Sequence, residues 1–102
     1  MSRRLIVRPE AEADIIAAAL WYDEREAGLG LGLELMLEIR AATRRVVENP
    51  LLYPLLRKHP EVRRVLPRRF PYRIFFIIRV DAIVIFAVLH AARHDRHWRE
   101  RL

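Results

Sequence analysis

Two long runs of β-branched and aromatic residues near the C-terminus, Tyr72–Val80 and Ile83–His90, are joined near Asp81. Such runs are typical of strands, and their short connection predicts an antiparallel hairpin, although no Gly is present for an ideal tight turn. The second run is apolar on both faces, which is typical of a central strand or of a strand with a covered outer face. The chain must therefore be built around a β-sheet.

The rest of the chain supplies two helices and further strands. Apolar residues at helical spacing predict a helix that starts at Pro9, with Gly28 as its C-cap, and a second helix that Asn49-Pro50 ends. The predicted elements are a strand at Leu5–Val7, helices at Pro9–Glu26 and Gly30–Val47, a loop at Leu51–Pro60 and a strand at Val62–Leu66. This order predicts an α+β fold, β-α-α-β-β-β, with a helical hairpin packed on one face of a small, mainly antiparallel sheet. The pattern leaves open where the first strand joins the sheet, and the polar tail 93–101 is compatible with a last helical turn.

Length and composition narrow the class of protein further. The 102 residues allow one domain, 1–102, and the absence of Cys excludes disulfides, thiolate nucleophiles and Cys-type zinc sites. The net charge of +6 is uneven: 7 basic and 9 acidic residues up to Asn49 give −2, whereas 12 basic and 4 acidic residues from Pro50 onward give +8. No apolar run is long enough for a signal peptide or a membrane span. We therefore expect a cytoplasmic protein without a cofactor, metal site or membrane contact.

Five strings along the chain resemble one known family. They open and close the first helix, follow the second helix, lead into the hairpin and end the last strand. The strings are Arg8–Asp14, Trp21–Arg25, Glu48–Pro54, Arg68–Phe76 and Val88–Arg93. In this order and at this spacing the sequence resembles the RelE/ParE family of bacterial toxins from type II toxin–antitoxin modules, also known as plasmid stabilisation proteins. The resemblance covers nearly the whole chain and implies the same β-α-α-β-β-β fold.

The resemblance implies a growth-arresting toxin that is held in check by a cognate antitoxin from the neighbouring gene. RelE-like members bind the ribosome and cut mRNA, whereas ParE-like members inhibit DNA gyrase and have no known catalytic centre. No Tyr follows Tyr72 and no Lys follows Lys58, so the pattern of the ribonuclease branch is incomplete. Because the Val88-Leu89-His90 ending also resembles ParE-like sequences, we expect gyrase as the target. A ribosome-dependent mRNA endoribonuclease and a non-toxic antitoxin-binding relative remain the alternatives.

Two residues are candidates for catalysis if the protein is a ribonuclease. The resemblance places a phosphate-binding Arg at Arg73, and His90 is a candidate for proton transfer because imidazole titrates near neutrality. Alternation along the strands predicts Arg73 and Arg79 on the open face of the sheet, and His90 on the same face as Val84, Phe86 and Val88. The structural alternatives are a salt bridge for Arg73 and a hydrogen-bonded structural role for His90.

The excess positive charge predicts a binding surface for a polyanion or an acidic partner segment. Its candidate residues for binding the antitoxin or the target are Arg63, Arg64, Arg68, Arg69, Arg79 and Arg93. The resemblance implies that an extended, acidic C-terminal segment of the antitoxin would fit this surface. The alternative is a solvated, charged edge of the sheet. The apolar outer face of the last strand is a further reason to expect a partner.

Overall fold

The computed structural model describes residues 3–102, and it confirms the predicted α+β fold. Strand β1 is followed by two long helices, four further strands and a short last helix. The elements are β1 (Arg4–Val7), α1 (Pro9–Arg25), α2 (Leu31–Glu48), β2 (Leu55–Arg57), β3 (Val62–Val65), β4 (Tyr72–Ile78), β5 (Ala82–His90) and α3 (Arg96–Arg99). Pro9 stands at the start of α1, where its missing N–H leaves no helical hydrogen bond unmade.

Within residues 3–102 the sheet has five strands, in the order β1-β5-β4-β3-β2. From β2 to β5 each strand is antiparallel to the next one along the chain, whereas β1 runs parallel to β5, from Arg4 opposite Ala82 to Val7 opposite Ile85. This pairing answers the question that the sequence pattern left open, because it places the first strand at an edge, beside the last one. The sheet is therefore mixed but mainly antiparallel.

The prediction of an unstructured loop at Leu51–Pro60 is wrong. This segment contains a 3-10 turn at Pro50–Leu52 and the edge strand β2, in which Leu55 pairs with Arg63 of β3. Three strand residues are too few to show an alternating pattern. The neighbouring prolines also favour a loop in any assessment of local preference.

The two faces of the sheet carry separate apolar cores. On one face the helical hairpin packs against side chains that include Ile74, Phe76, Ile85 and Val88. On the other face a second cluster comprises Val62, Phe75, Ile77, Ala82, Val84, Phe86, Ala87, Leu89 and Trp98. The last strand is thus buried on both sides by its own chain, so its doubly apolar pattern does not call for a partner, contrary to our expectation.

A β-bulge in β5 changes which side chains share a face. Phe75 pairs with Ala87 but the next residue, Phe76, pairs with Ile85, so that Phe86 is an extra residue in the ladder. An extra residue reverses the alternation beyond it. The prediction that placed His90 with Val84, Phe86 and Val88 is therefore wrong: Val84 and Phe86 lie in the outer core, whereas Val88 lies on the helix side.

The tight connection between α1 and α2 depends on a close approach of the two helices. The Asp23 side chain accepts a hydrogen bond of 2.9 Å from the backbone N–H of Gly32, which lies in the first turn of α2. A Cβ atom at Gly32 would lie 2.7 Å from the carbonyl oxygen of Ala19. A glycine is therefore required here by space. Neither of the two long helices, nor any other helix within residues 3–102, is long and apolar enough to span a membrane.

Candidate interaction site

Arg73 lies on the sheet face away from the helical hairpin, as predicted, but that face is covered at this position. Its Nη1 donates to Asp95 Oδ1 at 2.8 Å and its Nη2 donates to the carbonyl oxygen of Arg93 at 2.6 Å. Its side chain is only 11% exposed. The hydrogen bond from Arg73 holds the pKa of the Asp95 carboxyl below its usual value. The C-terminal segment thus binds the guanidinium of Arg73. The expectation that Arg73 lies on an open face of the sheet is therefore wrong.

The segment is fixed in place by Trp98. This side chain is 2% exposed, and its ring stacks on Phe75 with centroids 5.5 Å apart and an angle of 21° between the planes. The tail is polar in sequence apart from this residue, and its pattern did not predict the anchor. The available signal was one large aromatic residue in an otherwise charged segment, which is typical of a short helix that packs through a single side chain.

His90 lies on the opposite face of the sheet from Arg73. Its ring meets Tyr72 edge to face at 5.3 Å, and its Nδ1 accepts a hydrogen bond of 3.0 Å from the N–H of Ala92. The separation follows from strand register, because Tyr72 pairs with His90 whereas Arg73 pairs with Leu89. The structure therefore does not bring the two candidate catalytic residues together.

An ion pair that the sequence did not indicate joins the first helix to the end of the chain. Arg101 donates to Asp14 through two hydrogen bonds of 2.6 and 2.9 Å, and the Asp14 hydrogen bond raises the pKa of Arg101. Asp14 also accepts the N–H of Val88, and Arg101 also donates to the carbonyl oxygen of Phe86. The pair thereby satisfies two backbone groups of β5 next to the bulge. The two residues are 87 positions apart in the sequence, so no local pattern could predict this ion pair.

The six candidate binding arginines differ in how far they are committed within the fold. Arg63 donates to Glu61 and to the carbonyl oxygen of Tyr53, and it is mostly buried. Arg69 pairs with Glu34 at 3.0 Å, while both side chains stay exposed. The other four form no ion pair with any of residues 3–102; they are Arg64, Arg68, Arg79 and Arg93. Arg63 is thus committed within the fold, whereas the other five remain candidates for binding.

Apolar side chains are exposed on the helical hairpin and on the neighbouring edge strand. They are Leu5 and Val7 in β1, Ile16 and Leu20 in α1, and Leu33, Met36 and Leu37 in α2. Three of them, Leu5, Val7 and Met36, line a groove of about 260 Å³ between β1 and α2. Ile39 and Ile85 also line this groove. A set of this size, beside the free edge of a sheet, is characteristic of a protein-binding surface.

A second pocket lies between α1 and the end of β5 and contains His90. Its volume is about 370 Å³. Its lining comprises Asp14, Ala17, Ala18, Trp21, Tyr72, Val88, Leu89, His90 and Arg93. The ring of Trp21 is half exposed and carries the guanidinium of Arg25 over its face at 4.5 Å. Trp21 thus forms an accessible wall of this pocket.

Comparison with known families identifies the class of this protein. Residues 5–95 match the family model described as the ParE toxin of type II toxin–antitoxin systems, parDE. The chain therefore belongs to the ParE toxin family, which confirms the resemblance found in the sequence. No curated protein matches the chain.

Among solved structures the chain is similar to one titled "Chromosomal ParDE TA system from P. aeruginosa". The two chains share 19% sequence identity, with a TM-score of 0.74. The match covers 87% of this chain and 96% of the other. At this level of identity the similarity establishes the shared fold.

Proposed function

We propose that this ParE-family toxin acts in the cytoplasm, where it inhibits DNA gyrase and is neutralised by a cognate antitoxin. The observation that carries the proposal is the family match over residues 5–95. The similar solved structure is described as a ParDE toxin–antitoxin system, which supports an antitoxin as the partner of this chain as well.

The arrangement of Arg73 and His90 favours gyrase over mRNA as the target. Cleavage of RNA by its 2′-hydroxyl needs a base, an acid and a cation around one phosphate. Here the cation and the imidazole lie on opposite faces of the sheet, and Asp95 and the Arg93 carbonyl oxygen already bind the guanidinium. An inhibitor that acts by binding does not need such an assembly.

The target is tested with purified protein in a supercoiling assay with DNA gyrase. We expect supercoiling to be blocked and cleaved DNA to accumulate; unaffected gyrase at high protein excess would contradict the proposal. In cells, induction of the His90→Gln variant should still arrest growth. If His90→Gln abolishes toxicity and primer extension shows wild-type-dependent cuts within codons, the ribonuclease alternative is correct. Induction of the wild type without growth arrest would identify a non-toxic relative.

The exposed apolar residues of the helical hairpin are the surface that best fits the antitoxin. The four arginines that form no ion pair within residues 3–102 would be a second, cationic part of the antitoxin-binding surface. Leu33→Glu places a charge in this surface without disturbing the core, because Leu33 is 63% exposed. We expect the product of the adjacent gene to bind this variant at least tenfold more weakly than wild type. Leu51→Glu is the matched control, since Leu51 is as exposed as Leu33 but lies outside the helical hairpin. Equal binding of both variants would exclude the hairpin as the docking surface.

A further inference from the structure

The pocket that contains His90 has polar groups that act as hydrogen-bond donors. Because His90 Nδ1 accepts the N–H of Ala92, the proton of the neutral ring resides on Nε2, which is therefore a donor. Burial raises the pKa of the Tyr72 phenol, so its hydroxyl stays protonated at neutral pH. Arg93 adds a guanidinium, which has donors only. The donor set suits a ligand that supplies acceptor oxygens.

The charge of the pocket agrees with this donor set. Asp14 is its one acidic lining residue, and its carboxylate is already bound by Arg101 and by the N–H of Val88. Arg93 supplies the positive charge in the lining, with its Nη2 3.3 Å from His97 Nδ1, and Arg25 lies nearby over Trp21. An anionic oxygen would thus be attracted, and its hydrogen bonds to charged or polarised donors are of the stronger kind.

The position of the pocket in the sheet indicates how its ligand is held. The pairing of β1 with β5 ends at Ile85, so no strand within residues 3–102 neighbours residues 86–90 on that side. The carbonyl oxygen of Phe86 and the N–H of Val88 are already bound there by Arg101 and Asp14, so a partner contacts this pocket through its side chains. Apolar surface from Ala17, Trp21 and Val88 also lines the pocket, and its volume of about 370 Å³ is within the usual range for binding sites.

We propose that this pocket binds a carboxylate side chain of a partner protein, together with an adjacent apolar side chain. Tyr72, His90 and Arg93 bind the carboxylate, and the Trp21 wall contacts the apolar group. The inference deepens the proposed function and rests on it for the identity of the partner, whereas the chemistry of the pocket does not depend on it.

The chemistry is tested by NMR titration of the full-length protein with a blocked leucyl-glutamate dipeptide. We expect millimolar binding that shifts the His90 imidazole and Trp21 indole signals. The leucyl-glutamine dipeptide, which has the same size but no charge, should bind at least fivefold more weakly. Tyr72→Phe, which keeps the ring, should weaken binding of the acidic dipeptide at least threefold. Equal binding of the two dipeptides, or a response to inorganic phosphate without one to the dipeptide, would overturn the proposal.

The partner is tested with the product of the adjacent gene. We expect it to bind His90→Phe at least tenfold more weakly than wild type, and to bind His59→Phe normally. His59 is the matched control because it lies in the β2–β3 connection, away from the pocket. Equal binding of wild type, His90→Phe and Tyr72→Phe would refute this inference and leave the antitoxin proposal intact. A product that fails to bind wild type would refute the antitoxin proposal, and the dipeptide titration would then decide on the pocket alone.

Discussion

Replacement of Asp14 by Ala tests how much the fold depends on the contact between the first helix and the end of the chain. The variant leaves the N–H of Val88 without its partner, which costs about 1–3 kcal/mol when the group is buried. It also leaves Arg101 without its carboxylate. The two side chains are 26% and 16% exposed, so this loss lies between the value of a surface pair, about 0–1 kcal/mol, and that of a buried pair, about 3–5 kcal/mol.

We therefore expect Asp14→Ala to lower the free energy of unfolding by about 2–4 kcal/mol, a large part of the roughly 5–15 kcal/mol typical of a domain. Arg101→Ala should cost less, about 1–2 kcal/mol, because Asp14 still accepts the N–H of Val88. Since the two side chains share one interaction, the double variant should be more stable than the sum of the single losses predicts, by about 1 kcal/mol.

The measurement is urea unfolding of the purified variants, followed by tryptophan fluorescence. An unchanged dependence on urea concentration would allow the midpoints to be converted to free energies. Arg96→Ala is the control, because this arginine of α3 forms no ion pair within residues 3–102, and it should change stability by less than about 0.5 kcal/mol. A loss below about 1 kcal/mol for Asp14→Ala, or strict additivity in the double variant, would refute the reasoning.

Three further predictions concern other contacts. Trp98→Ala should lower the free energy of unfolding by about 3–5 kcal/mol, because it removes the ring that stacks on Phe75. The measurement is urea unfolding followed by circular dichroism, and Trp98→Phe should recover at least half of this loss. Gly32→Ala should destabilise the hairpin by about 1–3 kcal/mol, since its Cβ meets the Ala19 carbonyl oxygen, and a neutral effect would contradict this contact. The pKa of Asp95 is lowered in the folded state, so its contribution is present above its unfolded pKa and is lost as pH falls through the folded pKa. Asp95→Asn should therefore be less stable than wild type at pH 7 and equally stable at low pH, and a difference that persists in acid would argue against the pair.

Local patterns predicted the elements whose residues repeat over several turns or pleats. The apolar spacing of α2 and the alternation in β4 each extend over many residues, so their existence and type were predicted correctly. The three residues of β2 and the single extra residue Phe86 fall below the length over which a period can be recognised. Each caused an error in the prediction. β2 was assigned to a loop, and His90 was assigned to the wrong face because the extra residue Phe86 reverses the alternation.

The candidate site was predictable in composition but not in arrangement. The excess of arginines in the second half was evident, yet which of them is committed depends on distant partners, such as the Tyr53 carbonyl oxygen for Arg63. The cover over Arg73 depends on Trp98 finding Phe75, a contact between an isolated tail residue and the middle of a strand. Such pairs are determined by the folded geometry, and no spacing in the sequence predicts them.

The parallel pairing of β1 with β5 has a consequence for synthesis of the protein. Of the strands within residues 3–102, β1 is made before the others, yet its only strand partner in this range, β5, is made after them, and α1 also packs on β5. Contacts between such distant segments form slowly, because the intervening chain must be closed into a loop first. The nascent chain cannot complete this sheet until β5 has left the ribosome, and it cannot join Asp14 to Arg101 until Arg101 has followed. The apolar faces of β1 and the helical hairpin therefore stay uncovered during this part of synthesis, which leaves an interval in which a partner can meet the unfinished sheet.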